Sequence, residues 1–292
     1  MAAVTALLDL LDLRQIDDAD FEGRASHERH VRAFGGQVAA QALVAAGRTV
    51  ESARPVNSLH VYFLRPGQPS EPILYRVARL RDGRSFTTRL VEGIQDDRVI
   101  FQMSASFHIN ESGVAHSESM PAAPSPNELR TFEDRFAGRD ESDMERWFSR
   151  VEPFDIRYVN TTPFDPPAGE HPSRQQVWIK TKAGLSDDTL LHRCITAYAS
   201  DLTLLDAVLL KHGMQWTDRS MMGASLDHAM WFHQPFRVDE WLLFDQASPI
   251  ATGGRGLASA EVWTEDGRLV VSIVQEALLR PPGAGRREAP TT

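Results

Sequence analysis

Apolar and polar residues alternate along several short stretches of the first half of the chain, as they do in half-buried β-strands. These stretches cover residues 58–64, 73–80, 85–91 and 99–107, and turns rich in Gly and Asp separate them. An alanine-rich segment, 34–47, precedes them and begins with a Gly-Gly turn, which predicts a helix. The first half is therefore predicted to be one helix followed by antiparallel strands.

The second half repeats this order. Apolar side chains recur every three or four residues over 191–211, which predicts one amphipathic helix. Alternating stretches that predict strands lie before and after this helix. They cover residues 154–159, 176–181, 225–232, 240–245, 256–263 and 268–278.

Similar residues recur in the two halves at a nearly constant separation, which indicates a duplicated unit. In each unit the helix can cover the apolar face of the sheet. The two sheets could also continue edge to edge, which would hide an edge strand of each. The pairs that support the repeat are Gln37 and Asp201, Ser58 and Ser225, Pro66 and Pro235, and Arg98 and Arg268.

The repeat also suggests where the domains begin and end. An N-terminal unit is expected over residues 20–110 and a C-terminal unit over 151–282. Residues 111–150, which are first rich in proline and then charged, are the expected linker, with a helical part near its end. Residues 283–292 are expected to be a flexible tail.

Composition narrows the function classes. The chain has 292 residues, and its net charge of −9 argues against general nucleic-acid binding. Its one cysteine, Cys194, cannot form an internal disulfide and is expected to be a buried apolar thiol. No apolar run is long enough to span a membrane, so a cytoplasmic location is expected. No metal-ligand spacing, phosphate loop or dinucleotide motif is present, so neither metal nor cofactor is expected.

Six short motifs, in a consistent order, resemble the thioesterase II family of acyl-CoA thioesterases. The resemblance covers roughly residues 20 to 280 and implies an α+β double hot-dog fold: two tandem hot-dog units, each with an antiparallel sheet wrapped around a central helix. It also implies hydrolysis of fatty acyl-CoA, of medium to long chain length, by a homodimer or homotetramer. The motifs are 34–37, 60–67, 81–86, 198–201, 226–233 and 274–276.

The resemblance implies a catalytic set of an Asp, a Thr or Ser, and a Gln, which match Asp201, Ser225 and Gln275. We expect Asp201 to accept a proton from a water molecule that Ser225 and Gln275 hold. Asp201 has small or apolar neighbours, so its carboxylate should be partly desolvated, as general bases often are; a helix N-cap is the alternative. Gln275 lies in an apolar strand and needs hydrogen-bond partners, either in the site or across the sheet. Asp206, one turn beyond Asp201, is expected to be structural.

A Ser-His-Asp triad with His228 is the other reading of Ser225. In a regular strand, residues an odd number of positions apart point to opposite faces, so Ser225 and His228 should not meet. No Gly-x-Ser-x-Gly motif surrounds Ser225 either. We therefore expect Ser225 to orient water and not to carry the acyl group.

Several arginines near turns are candidates to bind the phosphates of CoA, although each could equally be a surface or ion-paired residue. In the first half Gln37 replaces Asp201, with Ser58 or His60 near the counterpart of Ser225, so one working site per chain is expected. Two alternatives stay open: a hot-dog hydratase or dehydratase acting on acyl thioesters, and a non-catalytic acyl-CoA-binding protein. The candidate arginines are Arg65, Arg81, Arg84, Arg89 and Arg255.

Overall fold

The structure is a computed structural model that describes residues 1–26, 32–138, 148–165, 172, 174–218 and 222–280. Its longer helices are α1 (Ala2–Leu11), α2 (Gly35–Gly47), α3 (Phe132–Phe136), α4 (Thr189–Thr203) and α5 (Asp206–Lys211). The strands of the first half are β1 (Arg14–Gln15), β2 (Asp20–Gly23), β3 (Val56–Phe63), β4 (Ile73–Asp82), β5 (Phe86–Gln95) and β6 (Arg98–His108). Those of the second half are β7 (Phe154–Tyr158), β8 (Arg174–Thr181), β9 (Met222–Ser225), β10 (Asp227–Phe232), β11 (Leu242–Thr252), β12 (Arg255–Thr264) and β13 (Leu269–Arg280).

The strands form one antiparallel sheet in the order β1-β2-β4-β5-β6-β3-β10-β13-β12-β11-β8-β7, with β9 paired to β13. The two halves therefore meet at β3 and β10, where His60 lies opposite Ala229. The predicted edge-to-edge continuation of the two sheets is confirmed. This pairing gives each half a hydrogen-bonded neighbour for a strand that would otherwise be an open edge.

The helices lie on one face of this sheet. α2 packs on β4, β5 and β6, α5 packs on β11 and β12, and α4 packs along α2. The resulting α+β arrangement, in which each half of one continuous sheet packs against a helix, is the double hot-dog fold that the resemblance implies.

Small residues let α2 and α4 approach closely. A Cβ atom at Gly36 would lie 2.5 Å from the Tyr198 carbonyl oxygen, and one at Gly47 would collide with the side chain of Leu190. The helices are therefore antiparallel, with the start of α2 beside the end of α4. Side chains at the end of α4 can thus reach the free N–H groups that begin α2.

The structure differs from the sequence prediction at the second helix. The predicted continuous helix over 191–211 is wrong, because α4 ends at Thr203 and α5 begins at Asp206. Leu204 and Leu205 lie between the two helices and are buried, so the apolar stripe continues through the break. A hydrophobic pattern alone could not have shown where the helix is interrupted.

The strand predicted over 225–232 is also interrupted. β9 ends at Ser225 and β10 begins at Asp227, with Leu226 between them. Leu226 still takes part in the sheet, because its N–H donates to the Glu276 carbonyl and its own carbonyl accepts from Phe63. The alternation of side chains across this point is therefore not that of a regular strand.

The segment before α3 covers the other face of the second sheet. Trp178, Trp241 and Trp263 form a separate apolar cluster there, and residues 120–129 pack against it. The Trp178 indole N–H donates to the Pro124 carbonyl at 3.0 Å. Cys194 is fully buried, as expected, and burial raises the pKa of its thiol. Among the described helices, none is both long and apolar enough to cross a bilayer.

Candidate active site

The fold brings Asp201, Ser225 and Gln275 into direct contact. Asp201 lies near the end of α4, Ser225 ends β9, and Gln275 lies within β13. The Gln275 Nε2 amide donates to Asp201 Oδ1 at 2.8 Å and to Ser225 Oγ at 2.6 Å. The Ser225 hydroxyl donates to the same Asp201 oxygen at 3.2 Å. Three residues from distant parts of the sequence therefore form one closed hydrogen-bonded group.

The second oxygen of Asp201 is held by the first half of the chain. Asp201 Oδ2 accepts the Gly36 N–H, at the start of α2, at 2.9 Å. A helix N-terminus carries partial positive charge, which favours an anionic side chain there. The N-cap alternative for Asp201 itself is wrong, because this residue lies in the last turn of α4. Gly35 is in equally close contact, since a Cβ atom there would lie 2.7 Å from Asp201 Oδ2.

His228 joins this group, although the alternation argument placed it on the opposite face. The interruption at Leu226 explains the error, because parity holds only within an unbroken strand. His228 Nδ1 lies 3.0 Å from Gln275 Oε1, and His228 Nε2 lies 3.0 Å from Ser200 Oγ. The ring is 2 % exposed, and burial lowers its pKa. Both ring nitrogens face groups other than Ser225, so this contact network does not form a Ser-His pair.

A cavity of about 320 Å³ opens onto the site. Asp201 and Ser225 belong to its wall, whereas Gln275 is fully buried behind them. Most of the rest of the wall is apolar and comes from both halves of the chain. Its apolar residues include Phe34, Val38, Phe63, Leu202, Leu205 and Trp216.

Of the arginines considered from the sequence, Arg65 is in the cavity wall, and Arg81, Arg84 and Arg255 are exposed outside it. Arg32 and Arg150, which sequence reasoning missed, also line the cavity. Arg32 lies two residues before the start of the motif at 34–37, and that proximity is the one sequence signal that could have suggested it.

Arg89 is a structural residue in this arrangement. It is 2 % exposed, and its guanidinium donates to Asp82 Oδ1 at 2.7 Å and to Thr49 Oγ1 at 2.8 Å. Arg255 is also paired, because its Nε donates to Glu276 at 2.9 Å. Neither guanidinium is directed into the cavity, so neither residue is placed to bind the phosphates of a CoA molecule there.

Asp206 supports the cavity wall from behind. Its carboxylate accepts the Trp216 indole N–H at 2.7 Å and the Tyr158 hydroxyl at 3.2 Å. Burial raises the pKa of Asp206 to about 7, while its hydrogen bonds act in the opposite direction. Asp206 does not line the cavity, so its contacts are those of the structural residue that the sequence suggested.

Strand register identifies what the first half has at the corresponding positions. In the first half His60 pairs with Ser104, and Val56 pairs with Phe107. In the second half Ala229 pairs with Val274, and Ser225 pairs with Ala277, so these pairs occupy the same places in the two halves. Ser58 is therefore not the counterpart of Ser225, and β3 has its own irregularity between Val56 and Ser58. The counterparts of Ser225, His228 and Gln275 are Val56, Leu59 and Ala105, respectively.

Within the described residues, no three His, Cys, Asp or Glu side chains are grouped in a way that could hold a metal ion.

Comparisons with known families match both halves. The family profile described as "Acyl-CoA thioesterase" matches residues 150–278. The profile described as "Acyl-CoA thioesterase N-terminal domain" matches residues 24–108. The two matches follow each other along the chain in the order of the two structural halves.

Individual relatives match nearly the whole chain. The sequence is 38% identical to human acyl-coenzyme A thioesterase 8, over 93% of this chain and 88% of the relative. It is 35% identical to acyl-CoA thioesterase 2 of Haemophilus influenzae, over 94% and 96% of the two chains. Among solved structures, an acyl-CoA thioesterase II of Mycobacterium marinum superposes with a TM-score of 0.79 at 42% identity, covering 95% of this chain and 99% of that one.

Proposed function

The chain belongs to the acyl-CoA thioesterase family, and we propose that it hydrolyses acyl-CoA to a free acid and CoA with a water molecule held at Asp201 and Ser225. The observation that carries this proposal is the group formed by Asp201, Ser225 and Gln275 at the wall of an apolar cavity. A carboxylate that lies next to a hydroxyl at the wall of an apolar cavity can activate water for attack on a bound thioester.

The reaction begins with proton transfer from water to the Asp201 carboxylate. The water oxygen then bonds to the thioester carbon, and the carbonyl oxygen becomes an oxyanion. When this oxyanion re-forms the carbonyl, the carbon–sulfur bond breaks and the CoA thiolate takes the proton from Asp201. A thiol has a reference pKa near 8.5, so this leaving group needs little acid assistance.

Gln275 acts from behind the other two residues. It is fully buried, and both hydrogens of its amide are directed at Asp201 and Ser225. We therefore revise the expectation that Gln275 contacts the water directly. In this geometry it fixes the distance between the base and the hydroxyl, which contact the water from the cavity side.

The oxyanion needs hydrogen-bond donors, and the start of α2 can supply them. The first N–H groups of a helix have no partner within the helix. The Gly36 N–H already binds Asp201, whereas Gly35, the first residue of α2, lines the cavity. The Gly35 N–H is the donor that we assign to the developing oxyanion.

The ends of the substrate fit different parts of the cavity. Apolar side chains from both halves would cover a fatty acyl chain, which favours substrates of medium to long chain length. Arg65, together with Arg32 and Arg150, gives the cavity wall positive charge for the phosphates of CoA. A homodimer or homotetramer and a cytoplasmic location stay predictions from the sequence.

The two alternatives fit the site less well. A hydratase or dehydratase would need a histidine that reaches the substrate, but His228 is buried behind Gln275 with both nitrogens in contact with protein groups. A non-catalytic binding protein would not need a carboxylate and a hydroxyl joined at the cavity wall. Neither alternative accounts for the whole arrangement.

Release of free CoA thiol, measured with a thiol-reactive dye on acyl-CoA of short, medium and long chain length, tests the proposal. The wild-type protein should turn over, and Asp201→Asn should lower kcat by about 10²- to 10⁴-fold, the range typical of a general base. Asn has nearly the shape of Asp, so a thermal melt should show both proteins folded. Turnover by Asp201→Asn at the wild-type rate would contradict the assigned base, and tight acyl-CoA binding without turnover by the wild type would favour the binding protein.

Ser225→Ala separates the two roles of the hydroxyl. If Ser225 orients water, the Ser225→Ala variant should keep measurable activity. The mass spectrum of the quenched wild-type reaction should then show no acyl-enzyme. An acylated wild-type protein and an inactive Ser225→Ala variant would instead assign Ser225 as the nucleophile.

A further inference from the structure

We propose that His228 is a positioning residue that holds the Gln275 amide with both of its N–H groups directed at Asp201 and Ser225. This inference rests on the proposed function, because it concerns how the same site keeps its geometry. It assigns His228 a defined tautomer and a defined role, although His228 does not line the cavity.

The direction of each hydrogen bond follows from the groups involved. The Asp201 carboxylate can only accept, so the group 2.8 Å from Asp201 Oδ1 must be the amide nitrogen of Gln275. The amide oxygen of Gln275 then faces His228 Nδ1 at 3.0 Å, and this oxygen can only accept. His228 must therefore carry its hydrogen on Nδ1.

The other ring nitrogen of His228 faces a hydroxyl group. A neutral imidazole protonated on Nδ1 has an acceptor at Nε2, which lies 3.0 Å from the Ser200 hydroxyl. The Ser200 hydroxyl has one hydrogen and two acceptors within reach, the Ala197 carbonyl at 2.9 Å and His228 Nε2 at 3.0 Å. We assign this hydrogen to Nε2, which a neutral ring protonated on Nδ1 leaves as an acceptor. Burial lowers the pKa of His228, which agrees with a neutral ring.

The result is a directed chain of hydrogen bonds from Ser200 through His228 and Gln275 to Asp201. If the His228 donor is lost, the Gln275 carbonyl has no partner in a buried site, which is costly. Rotation of the amide by half a turn would then place its oxygen against the Asp201 carboxylate. Both changes disturb the distance between Asp201 and Ser225.

The first half of the chain supplies the matched substitution. Leu59 is the counterpart of His228 in the strand register and is itself fully buried. A leucine is therefore compatible with this position of the fold, and His228→Leu removes the donor with little change in apolar packing. His228→Asn is the conservative variant, because an Asn side-chain nitrogen can take the place of Nδ1.

Steady-state kinetics on the full chain distinguish a positioning role from a structural one. His228→Leu should lower kcat by about 10- to 100-fold, as for other residues that orient catalytic groups, with KM unchanged. His228→Asn should recover most of kcat. A His228→Leu variant with wild-type kcat, or a His228→Asn variant as slow as His228→Leu, would overturn the inference.

A measurement on the wild-type protein keeps the inference testable even if a variant does not fold. Nitrogen NMR of protein with isotope-labelled histidine should show one ring that is neutral and protonated on Nδ1 at neutral pH. The signal of His228 is the one that is absent from the His228→Asn spectrum. Without that variant, it is the one that shows contact with the side-chain amide of Gln275. A ring protonated on Nε2 contradicts the inference, whereas an inactive wild type with the expected tautomer contradicts only the proposed function.

Discussion

The two halves of the molecule have the same arrangement of strands but different chemistry at the same place. In the second half Ser225 and Gln275 donate to the Asp201 carboxylate, and His228 contacts Gln275 from behind. In the first half the corresponding strand positions hold Val56, Leu59 and Ala105, which are all buried. The sheet therefore does not need these polar residues, and their presence in one half reflects the site and not the fold.

Among changes that leave Asp201 in place, copying the first half into the second should have the largest effect. The double variant Ser225→Val with Gln275→Ala gives the site the side chains that the first half has at Val56 and Ala105. We expect kcat for acyl-CoA hydrolysis to fall by about 10²- to 10³-fold, because the base loses both partners that define its position. Thiol release under saturating substrate measures the loss.

The matched control for this change is Ser58→Ala. Ser58 aligns with Ser225 in the sequence repeat, but the register makes Val56 the counterpart. Ser58 also lies in the half without a catalytic carboxylate, so Ser58→Ala should leave kcat at the wild-type value. A large loss for Ser58→Ala would mean that the first half contributes this hydroxyl to the reaction.

The two glycines that begin α2 should separate activity from stability. Gly35→Ala directs a methyl group at Asp201 Oδ2, a side-chain atom that can move away, so we expect a loss of kcat of about 10- to 100-fold in a stable protein. Gly36→Ala instead meets the Tyr198 carbonyl of the backbone. We expect it to lower the free energy of unfolding by about 1–3 kcal/mol.

Kinetics and urea unfolding of both glycine variants test this contrast. A Gly35→Ala variant with full activity would show that the contact between Asp201 and the start of α2 is loose. An unchanged stability of Gly36→Ala would show the same for the contact between α2 and α4.

Arg65 and Gln234 offer a smaller, charge-specific comparison. Arg65 donates to the Val99 carbonyl in the first half, and Gln234 donates to the Leu269 carbonyl in the second. Arg65→Gln should therefore keep the structural hydrogen bond and remove only the charge. We expect KM for acyl-CoA to rise about 3- to 10-fold, with kcat unchanged.

An acyl thioester of pantetheine, which lacks the nucleotide phosphates of CoA, is the control substrate for Arg65→Gln. KM for this substrate should be the same in the variant and the wild type. If KM rises equally for both substrates, Arg65 does not recognise the phosphates.

The last comparison concerns stability and two buried tyrosines. In the first half Tyr75 donates to Gln41, which is neutral, and in the second half Tyr158 donates to Asp206, which can ionise. The pKa of Asp206 is raised from 3.8 to about 7, so the folded state keeps a proton that the unfolded state loses above 3.8. The free energy of unfolding should therefore fall as pH rises through this range, by at most about 1.4 kcal/mol per pH unit.

Asp206→Asn should flatten this part of the pH dependence. The amide oxygen can still accept from Trp216, and the amide nitrogen can donate to the Tyr158 oxygen. Urea unfolding of both proteins across the range 3.8 to about 7 measures the difference. Parallel curves for the two proteins would show that Asp206 ionises in the folded protein as it does in the unfolded one.

The sequence predicted most of the strands, because alternation survives wherever a strand is regular and has one face on the core. It failed where regular structure is interrupted. The apolar stripe continues across the break between α4 and α5, and the single residue Leu226 changes which face His228 occupies. Such local irregularities depend on contacts with distant residues, and a local pattern does not contain them.

The candidate site was predicted unevenly for a similar reason. Asp201, Ser225 and Gln275 were named from motifs, and the structure brings them together. The partners supplied by other elements were missed: the Gly36 N–H, the His228 ring, and the side chains of Arg32 and Arg150 in the cavity wall. Each of these contacts links segments that are far apart in the chain, so only the folded arrangement reveals it.

The pairing of β3 with β10 has an evolutionary consequence. When two identical subunits form such a sheet, every mutation appears in both clefts at once, so neither can change without the other. Covalent linkage removes this restriction, because each half then mutates independently. The first half is then free to lose the polar residues of its own cleft and to supply wall residues to the cleft of the second half. Selection for a single reaction tolerates this change, because one working site is enough.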